Sequence, residues 1–160
     1  MKNRITGSLF ILSLFLINPS IQAQNWNEIV KSVASDRAAN DEYGTSVAID
    51  GNYAVVGAPK EDEDENGLNT LQNAGAAYIL TKDVSGNWVE VQKIVASDRA
   101  LFAEFGSSVS ISGNYLIIGS QNEMRDAFSA NPKPNAGAGY IFERIAGSWV
   151  EVAKIVSSDR

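Results

Sequence analysis

Neither cysteine nor histidine occurs in the 160 residues, and there are only four prolines. Each gap closes off a class of protein. Without cysteine there is no disulfide framework, no thiolate nucleophile and no residue to carry a lipoprotein's lipid. Without histidine there is no Ser-His-Asp or Cys-His system, and no imidazole or thiolate metal site. Long apolar runs are scarce too: the longest, Ile5 to Ile17, has about thirteen residues, short of the roughly twenty that span a bilayer. Helical periodicity is not evident beyond it. Basic residues are outnumbered 13 to 19, a net charge of −6 that makes nucleic acid a poor partner.

What is present begins with an export signal. Lys2 and Arg4 precede the Ile5–Ile17 run, which is followed by Asn18-Pro19 and Ile21-Gln22-Ala23, the layout of a secretory signal peptide at 1–23. Cleavage after Ala23 leaves Gln24 first, removes two bases and takes the net charge to about −8. The expected product is secreted or held at the cell surface, with no membrane span. Export without disulfides fits a bacterial envelope protein, and no permitted Asn-x-Ser/Thr acceptor argues otherwise.

The strongest signal is repetition. Ser35-Asp36-Arg37 returns as Ser97-Asp98-Arg99 and Ser158-Asp159-Arg160, a step of 61–62 residues. The same step relates Tyr43-Gly44 to Phe105-Gly106, Gly57 to Gly119, Gly75 to Gly137, and Trp26 to Trp88 to Trp149. Inside each unit, β-branched and aromatic runs separated by Gly, Asn, Asp and Ser predict four short strands. In the first unit these are Thr45–Ile49, Tyr53–Val56, Ala76–Thr81 and Trp88–Val95, with Trp88, Glu90 and Gln92 alternating against Val89, Val91 and Lys93. The fold expected is all-β, two four-stranded antiparallel propeller blades with an extra N-terminal strand. A β-sandwich is the alternative, but matched groups of four strands suit blades that each meet two like neighbours. The boundaries are 24–37 for a lone fourth strand of a preceding blade, 38–99 for blade 1 and 100–160 for blade 2.

Tyr43-Gly44-Thr45-Ser46 with Val56-Gly57-Ala58-Pro59, and Phe105-Gly106-Ser107-Ser108 with Ile118-Gly119-Ser120, resemble the FG-GAP repeat of integrin alpha-subunit propellers, in its bacterial branch. The resemblance covers residues 26–160 and implies a propeller engaged in extracellular recognition or adhesion, with no chemistry of its own. It also implies that the second-to-third-strand connections share a binding face with the linkers between blades. Integrin-type repeats often carry an Asp-x-Asp-x-Asp-Gly calcium loop between the two motifs. Here only Asp50-Gly51-Asn52 and Ser112-Gly113-Asn114 occupy that interval, so the family's calcium site does not carry over.

A second acidic stretch, Asp62, Asp64, Asn66 and Gly67, reads as the opening half of a calcium loop, but Asn73 stands where a closing Glu belongs. Calcium is one reading and a solvated acidic loop the other; no other cofactor is indicated. The two long connections, Lys60–Asn73 and Gln121–Asn135, differ in sequence and are where a ligand is expected. Asp62, Asp64, Asn66, Arg125 and Asp126 are the candidate contacts, for a protein or glycan ligand that the sequence does not name. A carboxylate-based glycan-active enzyme would need a pair within the crowded Glu61–Glu65 run, where exposure argues against shifted pKa values. The expected role is therefore binding, with a structural spacer on the cell surface as the alternative. The recurrent Asp-Arg and Trp read as scaffold: a local ion pair or turn cap, and packing between sheets. Two blades leave two apolar sheet faces uncovered, which leads us to expect further blades from a longer chain, or self-association.

Overall fold

The computed structural model describes Glu28 and residues 30–159. Residues 1–23, expected from the sequence to be a signal peptide, and Trp26 lie outside the described residues, and among those described no strand precedes Ser46. Eight strands follow in two four-stranded antiparallel meanders. The first sheet runs β1 (Ser46–Asp50), β2 (Tyr53–Ala58), β3 (Ala76–Lys82) and β4 (Trp88–Ile94). The second runs β5 (Phe105–Ser112), β6 (Tyr115–Ser120), β7 (Ala138–Ile145) and β8 (Ser148–Ile155).

The hairpins follow from turn chemistry. Gly51 and Gly113, both at φ +57°, start two-residue loops whose second residue keeps a negative φ, the II′ arrangement that matches strand twist. Between β7 and β8, Ala146 and Gly147 both have positive φ, the I′ arrangement, so Ala146 occupies a position that suits Asn or Gly.

The alternation expected along β4 breaks at a bulge. Leu80 pairs with Glu90 but Ile79 pairs with Gln92, leaving Val91 unmatched. Glu90 and Lys93 therefore share one face, and Gln92 turns to the other. The same bulge recurs between Ile141 and Phe142 in the second sheet. A bulge re-aims side chains without ending the ladder. Here it points Glu90 and Lys93 at the linker that enters the blade, and Gln92 at the following blade.

The sheets form a wedge. Their inner strands pack closely through β1, β2 and β5, while the outer strands β4 and β8 touch only lightly. At the outer edge the Gln92 amide clamps the Trp149 backbone, accepting from its N–H at 2.9 Å and donating to its carbonyl at 2.8 Å. One core fills the wedge: Val55, Ala77, Ile79 and Ile94 from the first sheet against Phe105, Leu116, Ile118, Tyr140, Phe142 and Trp149 from the second. Tyr53 meets Trp149 edge to face across the junction, with ring centroids 6.0 Å apart.

Repeat-related positions show which faces the junction covers. Val55 is fully buried and Ile94 is 4% exposed, whereas their copies Ile117 and Ile155 on the outer face of the second sheet are 41% and 45% exposed. On the opposite side, Val47 and Ile49 stand 68% and 66% exposed beside a hollow lined by Val30, Val56, Leu80 and Trp88.

At the wedge apex, backbone meets backbone. A Cβ on Gly57 would lie 2.0 Å from the Gly106 carbonyl oxygen, one on Gly106 2.2 Å from that of Ala76, and one on Gly75 2.1 Å from that of Phe105. Gly44, the copy of Gly106 in the turn before β1, has φ +96° but nothing within 4 Å of its Cβ position. We expect Gly106→Ala to cost more than about 4 kcal/mol and Gly44→Ala about 1 kcal/mol, the backbone cost alone, read from urea unfolding. Equal costs would contradict the close approach as the reason for the glycine. Ala146→Asn should stabilise by about 0.5–1 kcal/mol in the same assay.

Candidate functional site

The segment joining the blades is a three-way latch. Ser97 donates from its N–H and its Oγ to the Glu151 carboxylate, at 2.9 and 2.8 Å. Asp98 accepts from Tyr140 Oη at 2.8 Å, Lys154 Nζ at 2.7 Å and Ser129 Oγ at 2.8 Å. Arg99 turns back to the first blade and donates to the carbonyls of Asn69 and Asp62, at 2.8 and 2.6 Å. Ser and Asp thus grip the blade they enter, and Arg grips the blade they leave. The first copy repeats the grip: Ser35 binds Glu90, and Asp36 binds Tyr78 and Lys93. The Asp of each linker is thus paired with a Tyr and a Lys of the blade it enters, the form that the expected scaffold role takes.

Beneath each latch lies a buried glutamate that sequence reasoning placed only within an acidic run, or not at all. Glu61 and Glu123 are each 1% exposed. Glu61 meets Tyr78 Oη at 2.9 Å and Lys93 Nζ at 3.2 Å. Glu123 meets Arg125 Nε at 3.0 Å and Lys154 Nζ at 3.4 Å. Their 62-residue separation was the available signal. It went unread because the residues around them differ: Lys60-Glu61-Asp62 against Asn122-Glu123-Met124.

The two latches differ in charge. The second sets Asp98 and Glu123 against Lys154 and Arg125. The first sets Asp36 and Glu61 against Lys93 alone, with Glu63 in the place of Arg125 and a buried Asp41 in the place of Ala103. Burial alone would raise Asp98 and Glu123. The Lys154 bond to the first and the Arg125 bonds to the second outweigh it and hold both below the ordinary carboxyl range. Glu63 is pushed up, first by its hydrogen bond to Glu61 and then by burial. Asp41 is pushed up by burial and by the charges of Glu61, Asp36 and Asp62. Tyr78 and Tyr140 are raised far beyond physiological pH, by burial and then by their carboxylate partners, and stay neutral donors.

The two long loops, dissimilar in sequence, fold alike. Asp64 accepts from the Asn66 and Leu68 amides and from Asn69 Nδ2; Asp126 accepts from Phe128, Ala130 and Asn131 in the same pattern. The amide-accepting carboxylate of an Asx turn explains both residues. Of the candidate contacts, Asp62 accepts from the Asn73 N–H at 2.7 Å and Asn66 donates to Glu65 at 3.2 Å. Arg125 binds the Glu123 carboxylate and the Asp98 carbonyl. Among the described residues no three Asp, Glu, His or Cys side chains gather as metal ligands. Both loops lie on the face of the interblade linkers, since Arg99 reaches one and Ser129 and Arg125 reach the other linker residue, Asp98. Their tips present Leu68, 62% exposed, and Phe128, 90% exposed. Sequence reasoning passed over these two because it weighed charge alone.

This wedge of matched four-stranded sheets, glycine-lined at its apex, is the arrangement of propeller-type repeats. The FG-GAP repeat model matches residues 26–80 and 88–142, and the chain belongs to the FG-GAP repeat family. The second matched unit starts at Trp88, which opens β4, and ends within β7, so this repeat unit straddles the latch. Comparison with curated proteins gave no match.

Removing Asp98 leaves Lys154 buried with its main partner gone, so Asp98→Asn should cost about 3 kcal/mol. The pH dependence has two signs. Stabilisation from Asp98 and Glu123 is complete above about pH 5.5 and is lost as pH falls through their lowered folded values. That from Glu63 and Asp41 is present in acid and is lost as pH rises through their raised values. Glu63→Arg, which copies the second latch, should raise the unfolding temperature at neutral pH, with a gain of up to about 1 kcal/mol. A lowered unfolding temperature would contradict the charge argument.

Proposed function

We propose that this chain is an exported, non-catalytic binding module of the cell exterior, contacting an extracellular protein or glycan through the face that carries loops 60–73 and 121–135. One observation carries this reading: two long loops are tied by Arg99, Arg125 and Ser129 to the same interblade latch, giving a rigid face from which Leu68 and Phe128 project. Rigid scaffolds that hold long exposed loops are the common form of recognition surfaces. The signal-peptide layout of residues 1–23 supports export. The contact surface is drawn from the loop tips and from Asp62 and Asn66. Asp64, Asp126 and Arg125 serve by shaping the loops. The apolar outer faces, with Ile117, Ile155, Val47 and Ile49 exposed, take further blades of the same kind, from the same chain or another copy.

Beads coated with the mature protein should adhere to surfaces of the producing cells or their environment. Asn66→Ala combined with Phe128→Ser should weaken adhesion at least about tenfold, as loss of central contact residues does, with an unchanged unfolding temperature. Undiminished adhesion by the variant would refute the loop face. Absence of adhesion by the parent protein would favour the spacer role.

A further inference from the structure

Between the splayed outer strands of the wedge, beside loop 60–73, lies a groove of about 550 Å³, within the range of small-molecule sites. Trp149, Arg99, Gln92, Asn69, Glu65 and Glu151 line it. Two of these residues carry the buried side-chain donors that lack a hydrogen-bond partner among the described residues, Trp149 Nε1 and Arg99 Nε. Buried donors in folded proteins are nearly always paired, so two in one groove require an explanation.

Neither side chain is free to turn away. Trp149 is 3% exposed, its backbone is clamped by Gln92 and its ring is packed on Tyr53. The other guanidinium nitrogens of Arg99 are fixed on the Asn69 and Asp62 carbonyls. The remaining N–H groups are thus held in place by contacts that exist only where two blades join. In the first blade, the copies Trp88 and Arg37 are more exposed and leave no such orphan.

The chemistry of the lining selects the occupant. Both orphans donate, so the occupant must accept. Carboxylates stand beside them, Glu65 at the exposed rim and Glu151 bonded to Ser97, in a chain of net charge −6. Lys93, Arg99 and Arg125 face Asp64, Glu65, Asp98 and Glu151 around the groove, so its walls offer no excess of positive charge to hold an anion, and a cation cannot accept from an N–H. A neutral hydroxyl does both things required: its oxygen accepts from a nitrogen and its proton goes to a carboxylate. A chain of such hydroxyls is a saccharide.

We propose that the interblade groove binds a neutral saccharide, with Trp149 Nε1 and Arg99 Nε donating to hydroxyl oxygens and Glu65 accepting from a hydroxyl. This rests on the reading of the chain as a binding module and adds a site apart from the loop tips. The two N–H groups have almost no exposure to bulk water, so binding requires the residues at the groove's rim to shift.

The test is a ¹⁵N–¹H titration of the mature protein with cellohexaose, chitohexaose and maltohexaose at millimolar concentration. The indole signal is assigned by its disappearance in Trp149→Phe, which removes the N–H and keeps an aromatic ring in the core. We expect that signal to shift with at least one oligosaccharide. Binding read from backbone amides should weaken about tenfold in Trp149→Phe, the loss of one buried hydrogen bond, and severalfold in Glu65→Ala, which lies at the exposed rim and leaves the fold intact. No shift with any of the three, equal affinity in Trp149→Phe, or a slowly exchanging water as the indole's only partner would overturn the proposal. Saccharide binding that survives Trp149→Phe but is lost in Asn66→Ala with Phe128→Ser would remove the groove and keep the binding module. Adhesion that needs neither would remove both.

Discussion

Where the two sheets meet at the wedge apex, main chain lies directly against main chain, and the rest of the molecule is arranged around that contact. Gly57, Gly75 and Gly106 each occupy a place where a Cβ would fall within about 2 Å of a neighbouring backbone oxygen. Because the inner strands come this close, the outer strands must splay, and the wedge between them has to be filled by large side chains from both sheets. Phe105, Tyr140, Phe142 and Trp149 do this. The Phe-Gly and Gly-Ala-Pro motifs are in this sense two halves of one contact: the glycine of the second, in one blade, receives the glycine carbonyl of the first, in the next.

A contact made of backbone has no side-chain chemistry to set its register, and the latch supplies it. Ser97, Asp98 and Arg99 bind both blades at once through charged and hydrogen-bonded groups whose partners are half-buried or buried. Low exposure makes such pairs directional and costly to break, which suits a device that fixes one relative placement of two sheets. The same construction explains why acidic residues accumulate here. Glu61 and Glu123 are scaffold carboxylates held under tyrosine, lysine and arginine, and Asp64 and Asp126 hold turns. The acidic run is a folding instruction for the loop more than an exposed charged surface, and only its remaining members, such as Glu65, face outward.

The legibility of these features in sequence varied with their range. Strand number, hairpin turns and blade pairing could be read from periodicity and from Gly-Asn punctuation, because those are local properties of the chain. The β4 bulge could not. It depends on how Leu80 and Ile79 meet the opposite strand, and it reversed the faces expected for Gln92 and Lys93. The two long loops seemed unlike in sequence and proved alike in structure, since the turn needs an Asx acceptor at one position and tolerates variety elsewhere. Arg125 and Glu63 occupy equivalent places with opposite charge, a difference that has meaning only once Lys93, Lys154 and the buried glutamates are seen around them.

By itself the sequence determined the repeat, the all-β architecture, the turn positions and the absence of histidine and cysteine chemistry. These follow from residue identity and spacing, which act within a few residues along the chain. Only the tertiary structure decided which acids are buried, which glycines touch another blade, and that Trp149 and Arg99 meet in one groove with unpaired donors. Burial and pairing belong to surfaces brought together from positions some sixty residues apart, and their energies depend on the solvent that those surfaces exclude.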